Sequence, residues 1–139
     1  MMDLRLDWCE HKAARYAAET WHYSECLPAS PTACIGVWEY GDFIGAVTYS
    51  KGSNNNLASM FDLSPTEVCE LTRVALDDHD HHVTQIMSIS RKLLRDQYDK
   101  LKVAVSYADP HQGHEGTIYQ ADNWAYLGQT EQSRRLIID

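Results

Sequence analysis

The sequence lacks the features that mark several large classes of protein. It contains no stretch of about 18 apolar residues, the length that a membrane-spanning helix needs, so no membrane span is expected. Residues 1–7 have no apolar core after a basic start, so no signal peptide is expected. The four cysteines show no CxxC or other close spacing, which argues against a zinc or dithiol motif. We interpret them as free thiols, with a disulfide as the weaker alternative, and expect a cytoplasmic location.

Basic residues are also in the minority. The formal net charge is −8, which excludes a protein coated in basic surface but not a local basic groove. Arg91, Lys92 and Arg95 lie close together, but Asp96 and Asp99 follow in the same stretch. This mixed pattern favours a solvated helix face over a surface that binds nucleic acid.

The hydrophobic patterns predict one domain in which helices and strands alternate. The chain of 139 residues is long enough to form a core of its own. A strand–helix–strand unit in its second half normally gives a parallel pair with a right-handed crossover. The predicted elements are a helix at about 8–26, strands at 33–40 and 43–50 joined by a tight turn, a strand at 67–76, a polar loop at 77–82, a helix from 83, a strand at 102–107, a short helix at 116–123 and one or two strands within 128–138.

Polar side chains are densest just after the strand at 102–107. The stretch 105–124 contains Ser, Tyr, Asp, His and Asn side chains within one strand end and the segment that follows it. In α/β proteins the segments beyond the carboxyl ends of strands usually carry the chemistry. We therefore expect the functional site at this end of the sheet.

A set of short motifs, each weak alone, occurs along the chain in one order. Together they resemble the Mom family of phage DNA-modification proteins, a divergent group within the GNAT acyltransferase superfamily. The motifs are His22-Tyr23-Ser24, Gly45-Ala46, Glu70-Leu71-Thr72-Arg73, Ser106-Tyr107-Ala108-Asp109, His114, Ile118-Tyr119-Gln120-Ala121, Asn123-Trp124 and Tyr126-Leu127-Gly128.

The resemblance implies both a fold and an activity. The fold is α/β (α+β), with a GNAT-like mixed central sheet flanked by helices in a single domain over residues 1–139. The activity is that of a transferase that adds a carbamoylmethyl (acetamido) or acyl-type group to the N6 amine of adenine in double-stranded DNA. Such a modification blocks host restriction enzymes, and it would take place in the host cell cytoplasm.

Four residues are candidates for the catalytic chemistry. Arg73 could bind a carboxylate, phosphate or carbonyl oxygen through two parallel hydrogen bonds, or could form a structural ion pair instead. Asp109 could act as a general base, or could cap a turn before Pro110. The resemblance to GNAT enzymes points to Tyr119 as an acid for the leaving group, with a packed aromatic as the alternative. Ser106 could donate a hydrogen bond to substrate or cap a strand end.

Five further residues are expected to contact substrate. The first helix of GNAT folds borders the acceptor cleft, which makes His22 and Tyr23 plausible contacts there. His114 follows a glycine whose backbone freedom could aim it inward, and the motifs extend to Asn123 and Trp124. Because the target amine lies within a base pair, the adenine is expected to flip out and to stack on an aromatic ring, for which Trp8, Tyr23 and Trp124 are candidates.

The identities of the donor and of any metal ion are left open by the sequence. GNAT enzymes usually bind the pyrophosphate of coenzyme A on a glycine-rich loop after the strand that ends here near Leu76, but the segment 77–84 has no glycine and is acidic. This argues against coenzyme A binding in the usual mode and leaves acetyl-coenzyme A and other acyl donors as alternatives. The histidines at 79, 81 and 82 could bind a divalent ion, but adjacent residues rarely converge on one, so a solvated loop is favoured. His22 or His114 would be the first ligands to look for.

Two other functions remain open. A GNAT-like acyltransferase acting on a small amine or a hypermodified base would suit the acidic charge. A phage accessory protein that binds a host protein without catalysis would suit the missing glycine loop. The C-terminal strand could also pair with a second copy of the chain, which would make a dimer.

Overall fold

A single seven-stranded sheet forms the centre of the molecule. The structure, a computed structural model, describes residues 3–22, 31–50, 58–108, 124–129 and 134–138. Its elements are β1 (Leu4–Trp8), α1 (His11–Trp21), β2 (Pro31–Glu39), β3 (Asp42–Ser50), two 3-10 turns (Ser59–Phe61 and Pro65–Glu67), β4 (Val68–Leu76), α2 (Val83–Gln97), β5 (Val103–Ala108), β6 (Ala125–Gln129) and β7 (Arg134–Ile138).

The sheet is mixed, with one parallel pair at its centre. The strand order is β1-β2-β3-β4-β5-β7-β6. Strands β4 and β5 are parallel and are joined through α2, whereas the other neighbouring strands are antiparallel. This arrangement confirms the predicted mixed sheet flanked by helices. None of the described helices is long and apolar enough to span a membrane.

The two helices cover opposite faces of the sheet. Successive side chains of a strand point to opposite faces. In β2, Ile35 packs in a large cluster with Ile86 of α2, whereas its neighbour Cys34 packs in a second cluster with Ala14 and Ala17 of α1. The small alanine side chains let α1 approach the sheet closely, at the level of β3 and β4.

Buried hydroxyl groups fix α2 to its face of the sheet. The phenol of Tyr49 and the hydroxyl of Ser90 are 2.8 Å apart, and neither residue is exposed to solvent. The Ser90 hydroxyl also donates to the carbonyl oxygen of Met87, at 2.7 Å. A buried polar group without a partner costs free energy, so this chain of hydrogen bonds favours one seating of α2 on β3.

Most of the predicted elements are confirmed, with small shifts at their ends. The strands predicted at 33–40, 43–50, 67–76 and 102–107 are β2, β3, β4 and β5, and the helix predicted from 83 is α2. The tight turn is also present, with positive φ at Tyr40 and Gly41. The segment predicted as a short helix, 116–123, lies outside the described residues.

The prediction was wrong at the N-terminus and inexact at the C-terminus. Trp8 does not belong to a helix that runs to residue 26, because 4–8 form β1 and α1 covers only His11–Trp21. Leu4 and Leu6 alternate with Arg5 and Asp7, the pattern of a strand with one buried face. Near the C-terminus there are two strands, and the first begins at Ala125 rather than 128.

We expect replacement of Gly45 by alanine to destabilise the protein. An added Cβ would lie 2.0 Å from the Ala75 carbonyl oxygen, so β3 and β4 would have to separate. The expected loss is about 3 kcal/mol of unfolding free energy, measured by urea denaturation. Gly41→Ala is the matched control, because it has open space and only an unfavourable φ of +90°, which costs about 1 kcal/mol. Equal losses for the two variants would contradict this account.

Candidate active site at the splayed strands

The two parallel strands separate at the carboxyl end of β4. Pairing between them covers Val68–Leu71 against Val103–Ser106. Beyond this point β4 continues to Leu76 along β3, while β5 continues to Ala108 along β7. The strands therefore diverge, and we call the gap between 72–76 and 107–108 the cleft.

A β-bulge lies at the point where the strands begin to separate. In the register of β3 with β4, Tyr49 faces Leu71 and Thr48 faces Arg73, which leaves Thr72 as an extra residue. A bulge reverses the faces to which the following side chains point. Leu71 packs in the α2 cluster, whereas Ala75 packs in the α1 cluster. The bulge therefore places Arg73 on the α1 face. Without it, Arg73 would point to the α2 face, like Leu71.

Hydrogen bonds between two threonines hold the bulge. The hydroxyl groups of Thr48 and Thr72 are 2.8 Å apart, and the Thr72 hydroxyl also donates to the Thr48 carbonyl oxygen at 3.0 Å. Nη1 of Arg73 donates to the carbonyl oxygen of Thr72 at 2.8 Å. Thr48 is buried and Arg73 is half-buried. The bulge thus sets the position of the guanidinium beside the cleft.

The end of α1 lies at the edge of the sheet where β3 begins and β4 ends, which is the edge onto which the cleft opens. Strand β1 runs away from this edge to Trp8, which pairs with Ile35 in the middle of β2. Helix α1 then runs back until Trp21 meets Phe43 at the start of β3, with ring centroids 6.1 Å apart.

The sequence placed His22 on the first helix, and this was wrong: His22 is the extended residue that follows the helix. Its N–H donates to the Ala18 carbonyl oxygen. His22 therefore follows the end of α1 on the same face as Arg73, which lies further along the sheet, opposite Thr48 of β3.

Ser106 and Trp124 occupy the other face of the sheet. Ser106 pairs with Leu71, the last residue before the bulge, and its buried hydroxyl lies 3.4 Å from the Leu71 carbonyl oxygen. Trp124 is 6% exposed and packs in the α2 cluster. This burial favours a packing role for the Trp124 ring over stacking on a base. Trp8 lies on the edge strand β1, with its ring against Tyr98.

Five of the nine site residues named from the sequence lie outside the described residues, and their roles stay predictions. They are Tyr23, Asp109, His114, Tyr119 and Asn123.

Sequence reasoning missed a buried carboxylate at the turn between β4 and α2. Glu39, the last residue of β2, is 4% exposed. It accepts hydrogen bonds from the backbone N–H groups of Asp80 (2.9 and 3.1 Å) and His81 (2.8 Å), and its Oε2 lies 2.6 Å from His81 Nδ1. An acid at the end of an apolar strand was the available signal. We call these three residues the Glu39 network.

The hydrogen bonds of this network outweigh the cost of burying the carboxylate. Burial alone raises the pKa of Glu39, but the hydrogen bonds from His81 and Asp80 stabilise the ionised form, so that the net pKa is below the ordinary value. The other histidines of the turn differ, since His79 bonds only locally to the Asp77 carbonyl oxygen and His82 is exposed. Among the described residues no three His, Cys, Asp or Glu side chains are arranged to hold a metal ion.

A small, shallow pocket of about 40 Å³ lies at the opposite edge of the sheet, where β4 and β5 begin. Its lining includes Cys69, Arg91, Arg95 and Lys102, at the start of β4 and β5 and the end of α2. Lys102 forms an ion pair with Glu67 at 2.8 Å. Burial raises the pKa of Cys69 to about 12, so the thiol is a poor nucleophile. Nothing in this pocket adjoins the cleft.

Comparison with known proteins identifies relatives in sequence and in fold. A model described as the Mom protein family matches residues 3–137. The methylcarbamoylase Mom of Escherichia phage Mu is 26% identical over 133 residues, which cover 93% of this chain and 55% of that protein. The chain thus spans about half the length of this curated relative.

Solved acetyltransferase structures share the fold. The N-acetyltransferase PseH of Campylobacter jejuni is 12% identical, with a TM-score of 0.63 and coverage of 99% of both chains. The aminoglycoside acetyltransferase AAC(6')-Ib, solved with coenzyme A, is 10% identical, with a TM-score of 0.65 and coverage of 97% of this chain and 94% of that one. These likenesses confirm the GNAT-like fold.

The turn before α2 does not fit the pyrophosphate of coenzyme A. A phosphate at this place would need backbone N–H groups from the turn and the start of the helix. Those of Asp80 and His81 already bond to Glu39. The acidic side chains of Asp77 and Asp78 stand in the same turn and would repel an added anion.

We expect the threonine pair to be energetically coupled. Thr72→Val should cost about 1–3 kcal/mol of unfolding free energy, because it leaves the buried Thr48 hydroxyl without this partner. Thr48→Val with Thr72→Val should cost less than the two single losses together, by about 1 kcal/mol. Thr66→Val, at an exposed hydroxyl, is the control and should change little. Additive losses in the denaturation series would mean that the two hydroxyls do not interact.

The contribution of Glu39 to stability should depend on pH. A carboxylate whose pKa is lowered by folding stabilises the protein above its unfolded pKa of about 4.3, and the contribution disappears as the pH falls through the folded pKa. The stability difference between the wild type and Glu39→Gln should therefore be largest above about pH 5 and shrink in more acidic buffer. Urea denaturation across this range measures it, with Asp42→Asn as the control. A difference that stays constant with pH would contradict the assignment.

Proposed function

This chain belongs to the Mom protein family, and we propose that it modifies adenine in double-stranded DNA. The group transferred would be a carbamoylmethyl (acetamido) or acyl-type group, and the acceptor would be the N6 amine. The observation that carries the proposal is the family match over residues 3–137, together with a relative named methylcarbamoylase. The modified DNA would resist restriction in the host cell cytoplasm.

The chemistry needs strong positioning and stabilisation of charge. The N6 amine is a weak nucleophile because its lone pair is delocalised into the purine ring. Arg73 would bind the carbonyl oxygen of the donor and so position the reacting carbon, a role supported by its placement beside the cleft. In transfer of an acyl group it would also stabilise the negative charge that develops on that oxygen. Ser106 is buried on the other face of the sheet and donates to the Leu71 carbonyl oxygen, which supports its alternative role as a cap at the strand end.

Two residues beyond β5 would move protons. As the amine nitrogen forms its new bond to the donor carbon, it loses a proton, which Asp109 would accept as general base. The bond between that carbon and the leaving group breaks at the same time, and Tyr119 would protonate the departing atom. Both roles rest on the motifs that these residues share with the family.

The acceptor base would enter the cleft from the side of α1. N6 of adenine takes part in base pairing, so the base must flip out of the duplex. The location of His22 at this edge supports its role as a substrate contact, and Tyr23, His114 and Asn123 complete the proposed set. For Trp124, the buried position in the α2 cluster supports a packing role rather than contact with the base.

The donor would be a small group on an activated carrier. Acetyl-coenzyme A is one candidate, because the fold is that of acetyltransferases, but the turn before α2 does not fit its pyrophosphate. Another acyl or acetamido donor is therefore the second candidate.

The acidic charge favours one alternative acceptor, a small amine. A net charge of −8 suits a cationic amine better than a DNA backbone. The two acceptors are distinguished by binding, because affinity for DNA falls steeply as the salt concentration rises.

We expect DNA from cells expressing the chain to carry a new adenosine species of carbamoylmethyl mass, detected by mass spectrometry of digested nucleosides. Arg73→Ala should lower its yield about 100-fold or more, because a fixed hydrogen-bond donor to the carbonyl oxygen is lost. Arg73→Lys should recover little, because an ammonium cannot make the two parallel bonds.

The control is Arg95→Ala, which removes an exposed arginine at the opposite edge and should leave the yield unchanged. An unmodified nucleoside profile, from protein shown to be folded, would contradict DNA modification by this chain alone. Equal yields for Arg73→Ala and the wild type would remove Arg73 from the site.

A further inference from the structure

The turn into α2 has the form of an anion-binding site, but its anion comes from the protein. Backbone N–H groups of Asp80 and His81 converge on one carboxylate, and neither residue is near Glu39 in sequence. The imidazole of His81 adds a contact at 2.6 Å. Both N–H groups belong to the turn just before His82, the N-cap of α2. Successive backbone N–H groups favour negative charge through their own dipoles, and the nearby start of the helix adds to this effect.

The two N–H groups that Glu39 binds are not available to a second anion. Glu39 is 4% exposed, and both of its oxygens are used, Oε1 by Asp80 and Oε2 by Asp80 and His81. A phosphate oxygen is, like a carboxylate oxygen, an acceptor only, so it would compete for the same N–H groups. To bind there it would have to displace Glu39 and leave that carboxylate unpaired beside it.

We propose that Glu39 determines donor specificity by occupying, from within the chain, the place where a phosphate-bearing donor would bind at the turn into α2. The inference rests on the proposed function in that it concerns the donor of that reaction. It restricts the donor to a molecule that is not bound at this turn through a phosphate or pyrophosphate. Recognition of the donor is left to the cleft, where Arg73 lies.

Removal of the carboxylate should open the site. Glu39→Ala frees the two N–H groups and leaves a small space, whereas the wild type offers neither. Asp42→Ala is the matched control: it removes one negative charge from the residue that pairs with Glu39 across the β2–β3 turn, three positions along the chain, and its exposed side chain has no described contact to Asp80 or His81. Both variants therefore change net charge equally, and only one changes the Glu39 network.

The experiment is calorimetric titration of the full chain with inorganic pyrophosphate and, separately, with coenzyme A. We expect no detectable binding to the wild type or to Asp42→Ala, and at least tenfold tighter pyrophosphate binding to Glu39→Ala. Amide NMR of the same samples should show shifts at Asp80 and His81 in Glu39→Ala alone. Glu39→Gln, which keeps the side-chain volume, replaces it if Glu39→Ala does not fold, with a smaller gain expected.

Two results would overturn the proposal. Binding of pyrophosphate or coenzyme A to the wild type with shifts at Asp80 and His81 would show that Glu39 does not close the site. A folded Glu39→Ala that binds no better than Asp42→Ala would show that Glu39 is not the determinant. Neither result depends on DNA modification, so failure of the proposed function in the nucleoside assay would be recognised separately.

Discussion

The bulge at Thr72 is the constraint on which the proposed site depends. One extra residue in β4 reverses the faces of all the residues after it, and it does so where β4 loses its pairing with β5. Without the bulge, Arg73 would follow Leu71 onto the face covered by α2 and would be packed in the core. With it, a guanidinium stands on the α1 face beside an open gap in the sheet. The hydrogen bonds of Thr72 to the buried Thr48 stabilise this local departure from regular pairing.

The Glu39 network is a second constraint at the same edge of the sheet. The carboxylate of Glu39, at the end of β2, accepts hydrogen bonds from the turn that follows β4, and so fixes where α2 begins. The Tyr49–Ser90 contact then holds the middle of α2 against β3. A scaffold shared with acetyltransferases is thus kept, while the turn that would receive a nucleotide phosphate is satisfied internally. The fold alone therefore does not determine the donor.

Regular elements could be predicted from the sequence, because their signals are local. The residues that signal the turn at Tyr40–Gly41 are adjacent in sequence, and those of the apolar stripe of α2 recur every three or four positions. Both elements were predicted correctly. β1 was missed because five residues of alternation precede a stretch with strong helix propensity. The local signal of the bulge is weak, since two adjacent polar residues, Thr72 and Arg73, do not by themselves indicate an extra residue in a strand. The Glu39 network joins residues 41 and 42 positions apart, which no local pattern reveals. Arg73 was named from family motifs, and the reason for its placement came only from the register.

The most direct test of the account is a crystal structure of the protein bound to duplex DNA that contains the target adenine. The account predicts an extruded adenine in the cleft between the end of β4 and the end of β5, with its N6 amine on the side of Arg73 and His22. A base bound elsewhere, for example in the pocket lined by Arg91 and Arg95 at the opposite edge, would contradict it.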